Sequence, residues 1–289
     1  MSDDLTALRE LERVPLGLPA GLELQWLGVA GYRLSFEGTT VLVDPYVSRA
    51  PLRSLLLRRP ALPDVAALDR YVARADAILV GHTHWDHAVD APALARRDGA
   101  TVYGSESLAH LMRLHGLDSV VAEPYRPYEV GPFVVRFVPS RHSKLLFGRK
   151  VPFDGALSCE DLHGLHPGAY KCGDVFGIRI EVAGTSFYHQ GSADLRDDER
   201  IDPVDVFLAG VTGRQVTPHY WRRILPRLDP RVLVPTHYDN FFAPLDRPLS
   251  LIRRVALSEL PEEIRAVSSA TTLAAVPRDP GPPPATPGG

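Results

Sequence analysis

Cysteine, lysine and long hydrophobic runs are all scarce in this chain of 289 residues. Its two cysteines, Cys159 and Cys172, are too few for a disulfide framework. No apolar stretch approaches the roughly 20 residues that cross a bilayer, and the acidic N-terminus lacks the apolar core of a secretory signal. The net charge of −3 gives no strong field that would attract nucleic acid or an acidic membrane. These absences predict a cytoplasmic protein with no transmembrane segment and no nucleic-acid partner, and they leave the oligomeric state open.

Residues 81–87 (GHTHWDH) stand out because three histidines and one aspartate lie within six positions. Imidazole and carboxylate are ligands that zinc prefers in proteins. The apolar run 77–80 and Gly81 predict a buried strand that ends in a tight turn. The metal-binding side chains would then be mounted at the end of a rigid strand; they are His82, His84, Asp86 and His87. A solvated loop that is merely rich in histidine is the alternative.

Two later histidines repeat this arrangement. His142 follows a strand predicted over 133–138, and His237 follows one predicted over 231–235. In each case a proline and one or two further residues separate the strand from the histidine. Ligands of one metal site must converge from separated segments, so both histidines are candidates for completing the cluster. A satisfied structural histidine is the alternative for each.

The order of predicted elements indicates the fold class. Strands are predicted over 22–29, 32–36, 40–44, 77–80, 101–103, 133–138, 175–181, 186–189, 204–208 and 231–235, and helices over 5–11, 91–97, 105–114, 218–228 and 250–257. Strands that first occur in runs and then alternate with helices predict a layered α/β structure. We predict an N-terminal extension over 1–19, one domain over 20–270, and a disordered tail rich in proline and glycine over 271–289.

The pattern His-x-His-x-Asp-His at 82–87 resembles the metal-binding signature of the metallo-β-lactamase superfamily. Residues 26–28 (WLG), 41–45 (VLVDP) and 235–241 (PTHYDNF) resemble the branch of UlaG-type lactonases and N-acyl-phosphatidylethanolamine phospholipase D proteins. The resemblance implies a four-layer αββα sandwich that binds two zinc ions. One ion would be held by His82, His84 and His142. The second would be held by Asp86, His87 and His237.

One departure from the superfamily pattern concerns the aspartate that usually bridges the two metals. Ser192 stands in its place here. Three interpretations remain open: Asp194 supplies the bridge, the second ion is held weakly, or Ser192 binds through water. We carry Asp194 as the candidate ligand. Asp44, before Pro45, is either a carboxylate that supports the ligands or a turn residue, and His189 either orients a ligand or is simply buried.

The ligand set favours hydrolysis of an ester, a lactone or a phosphodiester in a small-molecule substrate. A zinc ion can lower the pKa of its bound water from about 15.7 to near 7, so hydroxide becomes available at neutral pH. Asp86 could also accept a proton, and Tyr238 could donate to an oxyanion or pack beside the loop. Arg141 and Lys144 could bind an anionic group or be solvated charges.

Two other classes of function compete with hydrolysis. A catalytically weak or inactive metal-binding protein on the same fold is kept open by Ser192. Di-iron oxidoreductases of the superfamily tend to replace the second histidine of the motif with glutamate, and His84 at that place favours zinc-type hydrolysis. A separate group, Cys159, His163, His166 and Cys172, could bind a structural metal. We interpret the region 153–174 instead as an insertion that shapes the substrate site.

Overall fold

The computed structural model describes residues 2–145 and 148–278. Six of its strands form the first sheet in chain order: β1 (Glu23–Gly28), β2 (Gly31–Phe36), β3 (Thr39–Val43), β4 (Ala77–Leu79), β5 (Thr101–Gly104) and β6 (Val120–Val121). The pairs from β1 to β3 are antiparallel, and those from β3 to β6 are parallel. The two parallel strands β3 and β4 therefore end side by side, where the motif at 81–87 begins.

The second sheet has seven strands, again neighbours in chain order: β7 (Tyr128–Val130), β8 (Phe133–Pro139), β9 (Phe176–Val182), β10 (Thr185–Gln190), β11 (Val206–Gly210), β12 (Val232–Thr236) and β13 (Thr272–Leu273). Pairs from β7 to β10 are antiparallel and pairs from β10 to β13 are parallel. Strand β8 leads to His142, and β12 leads to His237.

The helices have these bounds: α1 (Ser2–Leu11), α2 (Leu52–Leu56), α3 (Val65–Tyr71), α4 (Trp85–Ala88), α5 (Ala91–Asp98), α6 (Glu106–Leu114), α7 (Tyr220–Leu228) and α8 (Leu260–Arg265). Two of them begin at side-chain caps, where Asp64 accepts from Ala67 N and Ser105 accepts from Leu108 N. Within the described residues, no helix combines the length and the apolar character that spanning a membrane requires.

Two hydrophobic cores follow from the alternation of side chains along the strands. Val41 and Val43 of β3 belong to the core that both sheets share, whereas Leu42 belongs to a second core beneath α3 to α6. Likewise, Leu79 of β4 enters the shared core and Ile78 the second one. Sheets thus pack together in the interior, and helices cover an outer face.

Most predicted strands are observed within two residues of their expected bounds, but two predictions at the C-terminal end are wrong. Residues 250–257 are not a helix, because Leu251 pairs with Asp239 and Ile252 N donates to Tyr238 O, so these residues run along the loop after β12. Residues predicted from 271 as a disordered tail include strand β13 and the buried residues 274–276. The rest of that tail, 279–289, lies outside the described residues.

Candidate metal centre

Three neutral imidazoles form the first group of metal-binding donors, here called group one. One donor atom each from His82, His84 and His142 lies within 4.8 Å of the others. All three side chains are buried. The His142 ring centroid is 5.0 Å from that of His82 and 4.7 Å from that of His84. The loop after β8 therefore brings His142 against the turn that follows β4, although 60 residues separate them in sequence (142 − 82).

A second group, here called group two, combines a carboxylate with two imidazoles. Donor atoms of Asp86, His87 and His237 lie within 4.8 Å of one another. Asp86 Oδ2 is 3.2 Å from His237 Nε2 and 3.8 Å from His87 Nε2. Asp86 and His87 lie in the one-turn helix α4, which directs both toward the end of β12. The rings of His82 and His87 are 3.9 Å apart, so the two groups adjoin.

Asp44 contacts this cluster from the end of β3. It is both a turn residue and a carboxylate that supports a candidate ligand, the two roles that the sequence left open. Its backbone lies in the left-handed region with φ of 42°, as a turn residue would. Its Oδ1 accepts from Gly81 N at 2.6 Å, and its Oδ2 is 2.8 Å from His87 Nδ1. This contact orients the ring so that His87 Nε2 faces Asp86. His87 Nε2 is buried and has no hydrogen-bond partner among the described residues, as expected of a nitrogen that binds a cation.

Burial and neighbouring charges set the protonation of the two groups differently. In group one, burial lowers the pKa of His82 well below its usual value, that of His84 to about 4 and that of His142 to about 3. In group two, burial acts against the charged forms, but it is outweighed. His87 and His237 lower the pKa of Asp86, while Asp44 and Asp86 raise the pKa of His87.

The backbone around Val29 holds His237 in place. His237 N and the Thr236 hydroxyl both donate to Val29 O, at 2.8 and 2.6 Å. In return Val29 N donates to Asp239 Oδ1 at 2.8 Å. Asp239 also forms an ion pair with Arg49 at 2.8 Å, and both side chains are almost fully buried. The loops after β1, β3 and β12 are thereby fixed to one another.

Gly28 is part of this arrangement because no side chain fits at its position. A Cβ there would lie 1.8 Å from Arg49 Nη2, and the backbone has φ of 90°. The short WLG segment noted in the sequence therefore makes room for the guanidinium that pairs with Asp239.

Asp194 is not brought into either group, which corrects the prediction that it completes the site. Its Oδ1 lies 2.9 Å from Arg223 Nη1 and also accepts from Leu195 N, so an ion pair occupies the carboxylate. Ser192 lies closer to the cluster, since its hydroxyl accepts from Ser143 N, the residue after His142. Among the described residues, Asp44 forms a further donor group with His82 and His87. Asp44, and not Asp194, is therefore the additional carboxylate that lies beside both groups.

Tyr238 and His189 also take positions that the sequence could not distinguish. Tyr238 packs in the shared core with its ring 4.7 Å from that of Trp26, so it does not face the metal-binding groups as an oxyanion donor would. His189 is fully buried, with Nε2 2.8 Å from Ala30 O and Nδ1 3.9 Å from Asp44 Oδ2. It contacts the support of the cluster rather than the cluster itself.

The surroundings of the cluster have one charged side and one aromatic side. A cavity of about 540 Å³ adjoins His142; its charged lining residues are Arg141, Lys144, Asp154, Asp174, Asp194 and Arg223. The cluster also adjoins an aromatic group, in which the Trp85 ring lies 5.7 Å from Phe153, 5.9 Å from Phe241 and 6.3 Å from Phe242. Sequence reasoning missed these phenylalanines, although two of them follow His237 within five residues.

The insertion at 153–174 lies against the cluster. His84 Nε2 is 2.9 Å from Pro152 O, and the Phe153 ring is 6.3 Å from that of His84. Thr83 N donates to Cys172 O at 3.0 Å. Cys159 and Cys172 do not join His163 and His166 in any metal-binding group of the described residues, and Cys172 is simply buried.

Comparison with known proteins identifies the family. A family model for the beta-lactamase superfamily domain matches residues 23–237, which include every member of both groups. A UPF0173 metal-dependent hydrolase of Carboxydothermus hydrogenoformans is 27% identical over 225 residues, covering 76% of this chain and 86% of that protein. Another from Anaeromyxobacter sp. (strain K) is 27% identical over 257 residues, covering 84% and 80%.

Solved structures support the fold. Igni18, a metallo hydrolase from Ignicoccus hospitalis, superposes with a TM-score of 0.52 and 18% identity, covering 90% of this chain and 96% of that chain. CmlA, a diiron beta-hydroxylase from Streptomyces venezuelae, gives 0.56 and 16% identity, covering 90% and 54%. At such identities the likeness concerns the fold alone. The finer resemblance to UlaG-type lactonases and the phospholipase D branch stays a prediction. The predicted metallo-β-lactamase fold is confirmed, and the chain is a hydrolase that belongs to the β-lactamase superfamily.

Proposed function

We propose that this hydrolase is metal-dependent and binds two zinc ions, one at each group, to cleave an ester, lactone or phosphodiester bond. The observation that carries the proposal is the pair of adjoining donor groups, His82, His84 and His142 beside Asp86, His87 and His237. Their donors are imidazole nitrogens and a carboxylate oxygen, the set that suits zinc. Two UPF0173 relatives carry the name metal-dependent hydrolase, which agrees with this assignment.

The chain's own residues would divide the work as follows. Zinc bound here would make hydroxide available near neutral pH and polarise the substrate oxygen. The imidazoles of group one, kept neutral by burial, offer lone pairs without first losing a proton. Asp86 stays ionised because His87 and His237 outweigh its burial and lower its pKa, which suits the carboxylate as a ligand of the cation and makes it a weak proton acceptor. Asp44 holds His87 through Nδ1, so that its Nε2 remains directed at the site.

Hydrolysis needs no nucleophilic serine or cysteine in this arrangement. Cys172 is buried, and burial raises the pKa of its thiol to about 12, so it is not a thiolate at neutral pH. Ser192 lies next to group one, and among the described residues the hydrogen bonds of its hydroxyl go to Ser143 and to no histidine or carboxylate. These features favour attack by water.

The test combines metal analysis with turnover. The full chain would be stripped with a chelator, reloaded with zinc, manganese or iron, and assayed on panels of esters, lactones and phosphodiesters. We expect close to two equivalents of zinc and hydrolysis that chelation abolishes and zinc restores. Activity that survives complete metal removal would overturn the proposal. A loaded protein that turns over no member of the three panels would favour the catalytically inactive metal-binding alternative instead.

A further inference from the structure

Exposed large hydrophobic side chains are concentrated in one stretch of the chain, which ends before the metal-binding motif begins. The described residues expose eight large hydrophobic side chains, and five of these eight fall between positions 52 and 65. They are Leu52, Leu56, Leu57, Leu62 and Val65, with exposed fractions of 47%, 71%, 60%, 56% and 61%. Single exposed leucines are ordinary, but a concentration of this kind marks an interaction surface.

The same stretch is basic. Between positions 49 and 65 there are four arginines and one acidic residue, Asp64, in a chain whose net charge is −3. Arg49 is buried in its ion pair with Asp239. Arg53, Arg58 and Arg59 are exposed, and none of them forms a side-chain ion pair with another described residue. We call the five hydrophobic residues and these three arginines the leucine–arginine patch.

The patch is a firmly built part of the fold, so its exposure does not reflect a detached loop. Ala61 is buried between two hydrogen bonds: its N–H donates to Leu165 O at 2.8 Å, and its carbonyl accepts from the Tyr170 hydroxyl at 3.1 Å. Asp64 N donates to the Ser48 hydroxyl at 2.7 Å. These bonds anchor the backbone after Leu57, and the buried ion pair of Arg49 with Asp239 anchors it before Leu52, while the leucine side chains are exposed.

We infer that the leucine–arginine patch is a docking surface for an anionic lipid bilayer. Leucines beside arginines are the composition of segments that lie in the interface of a membrane, with apolar groups inserted and cations at the phosphate level. The alternative occupant is a second copy of this chain. A twofold dimer brings the same surface against itself, so Arg53, Arg58 and Arg59 of each copy would face their own counterparts with only one carboxylate per chain, Asp64, to offset three positive charges.

The net negative charge of the chain does not prevent this locally basic surface from attracting an anionic bilayer. A bilayer interacts only with charges within a Debye length, about 8 Å at physiological ionic strength. Acidic residues elsewhere on the protein therefore weaken the local attraction little. The inference is independent of the proposed metal chemistry, because no member of the patch belongs to either donor group.

The experiment is co-sedimentation of the full chain with vesicles. Phosphatidylcholine vesicles are compared with vesicles in which half of the lipid is phosphatidylglycerol. We expect binding to the anionic vesicles alone, weakened by added sodium chloride. The double variant Leu56→Asp with Leu57→Asp should lower the partition coefficient at least about tenfold, since withdrawing one leucine from an apolar phase weakens partition by roughly that factor. The variant Arg58→Glu with Arg59→Glu should also abolish the preference for anionic lipid.

Matched controls are available on the same chain. Val216→Asp changes an exposed hydrophobic residue outside the patch, and Arg253→Glu with Arg254→Glu changes another exposed pair of arginines. Arg254 shares with Arg58 a left-handed backbone, with φ of 62° and 50°. These variants should bind vesicles as the unchanged chain does, and every variant should keep its metal content and thermal midpoint.

Three outcomes would overturn the inference. The first is that the unchanged chain does not bind anionic vesicles, and the second is that the patch variants bind as well as the controls. In the third case, light scattering would show a dimer that the leucine variant dissociates and no binding to vesicles, which would assign the patch to a second copy. Because metal content and turnover of water-soluble substrates are measured in parallel, failure here is distinguishable from failure of the proposed hydrolysis.

Discussion

The two donor groups adjoin each other, yet they are built on different electrostatic principles. Group one consists of three imidazoles whose pKa values are lowered by burial. Group two contains the carboxylate of Asp86 and is supported by a second carboxylate, Asp44. A dication in group one would keep its full charge, whereas one in group two would be partly neutralised. If two ions bind as proposed, we expect the carboxylates, more than the number of histidines, to determine how strongly the ion in group two is held.

The largest effect is expected from removing the carboxylate of group two. Asp86→Ala should lower kcat by more than about 100-fold, because even residues that only support ligands cost 10–100-fold. Bound zinc should fall from two equivalents to one, retained by His82, His84 and His142. Elemental analysis and turnover measure the two effects on one sample. Loss of both ions at once would show that the groups do not bind independently.

A smaller loss is expected from the supporting carboxylate. Asp44→Asn can still accept from Gly81 N, but it no longer stabilises a proton on His87 Nδ1 through its charge. We expect zinc affinity at group two to fall by about 10–100-fold while group one is unaffected. A competition titration with a chromogenic chelator measures both affinities. Equal weakening at both groups would contradict the assignment of Asp44 to group two.

Adding a carboxylate should raise the affinity for zinc instead of lowering it. Ser192→Asp places an acidic group next to Ser143, the residue after His142, and directly after Gly191, where a Cβ would lie 2.8 Å from His87 Cε1. We expect the weaker zinc ion to bind about tenfold more tightly, a change of about 1.4 kcal/mol. Ser192→Asn is the matched control, because it has nearly the same size without the charge. If both variants strengthen binding equally, charge is not the cause.

The two groups should also affect the stability of the metal-free protein in opposite directions as the pH changes. The unfolded chain protonates histidine near 6.5, whereas folded His84 and His142 resist protonation until about 4 and 3. Group one therefore contributes stability that is complete above pH 6.5 and is lost as the pH falls toward 4. The raised pKa of His87 acts oppositely, since its contribution is lost as the pH rises through that value.

We expect the thermal midpoint without metal to drop between pH 7 and pH 5, at about 2–4 °C for each kcal/mol lost in a domain of 150–250 residues. The thermal midpoint of the variant His142→Ala should fall less over the same interval, because this variant lacks one of the imidazoles that burial keeps unprotonated. Scanning calorimetry in a chelating buffer measures this. A midpoint that is equal at both pH values would contradict the direction given for group one.

The smallest effect is expected beside group two, at Tyr238. Its ring packs on Trp26 in the shared core, so Tyr238→Phe should leave kcat within about twofold. Removal of a true oxyanion donor would instead cost about 10²–10³ in kcat. Steady-state kinetics on the substrate identified in the panel distinguishes these results.

The sequence predicted the layered fold and the members of both groups because the relevant signals are local. Apolar runs ended by glycine or proline located the strands before His82, His142 and His237. The predicted helix at 250–257 was wrong because backbone hydrogen bonds to the loop after β12 replace those of a helix: Asn240 N donates to Ser250 O, and Ile252 N donates to Tyr238 O. Local spacing carries no information about such distant partners.

The choice of carboxylate failed for a similar reason. Asp194 is two residues from Ser192, but its partner, Arg223, lies on α7 and is 29 residues away. Asp44 reaches the cluster because parallel strands β3 and β4 end together, a fact of topology. Tyr238 follows His237 directly, yet the left-handed backbone at His237, with φ of 58°, turns the chain there. Neighbours in sequence consequently face different parts of the molecule.

Asp44 joins the first residue of the GHTHWDH segment to the last, through Gly81 N and His87 Nδ1. This clasp consists of protein atoms alone, so the shape of the turn does not depend on an ion to form it. The turn should therefore keep its conformation when metal is removed by dialysis, and different cations can then be compared in the same arrangement of donor atoms. Differences in turnover between zinc, manganese and iron would then reflect the chemistry of each metal and not a change in the conformation of the protein.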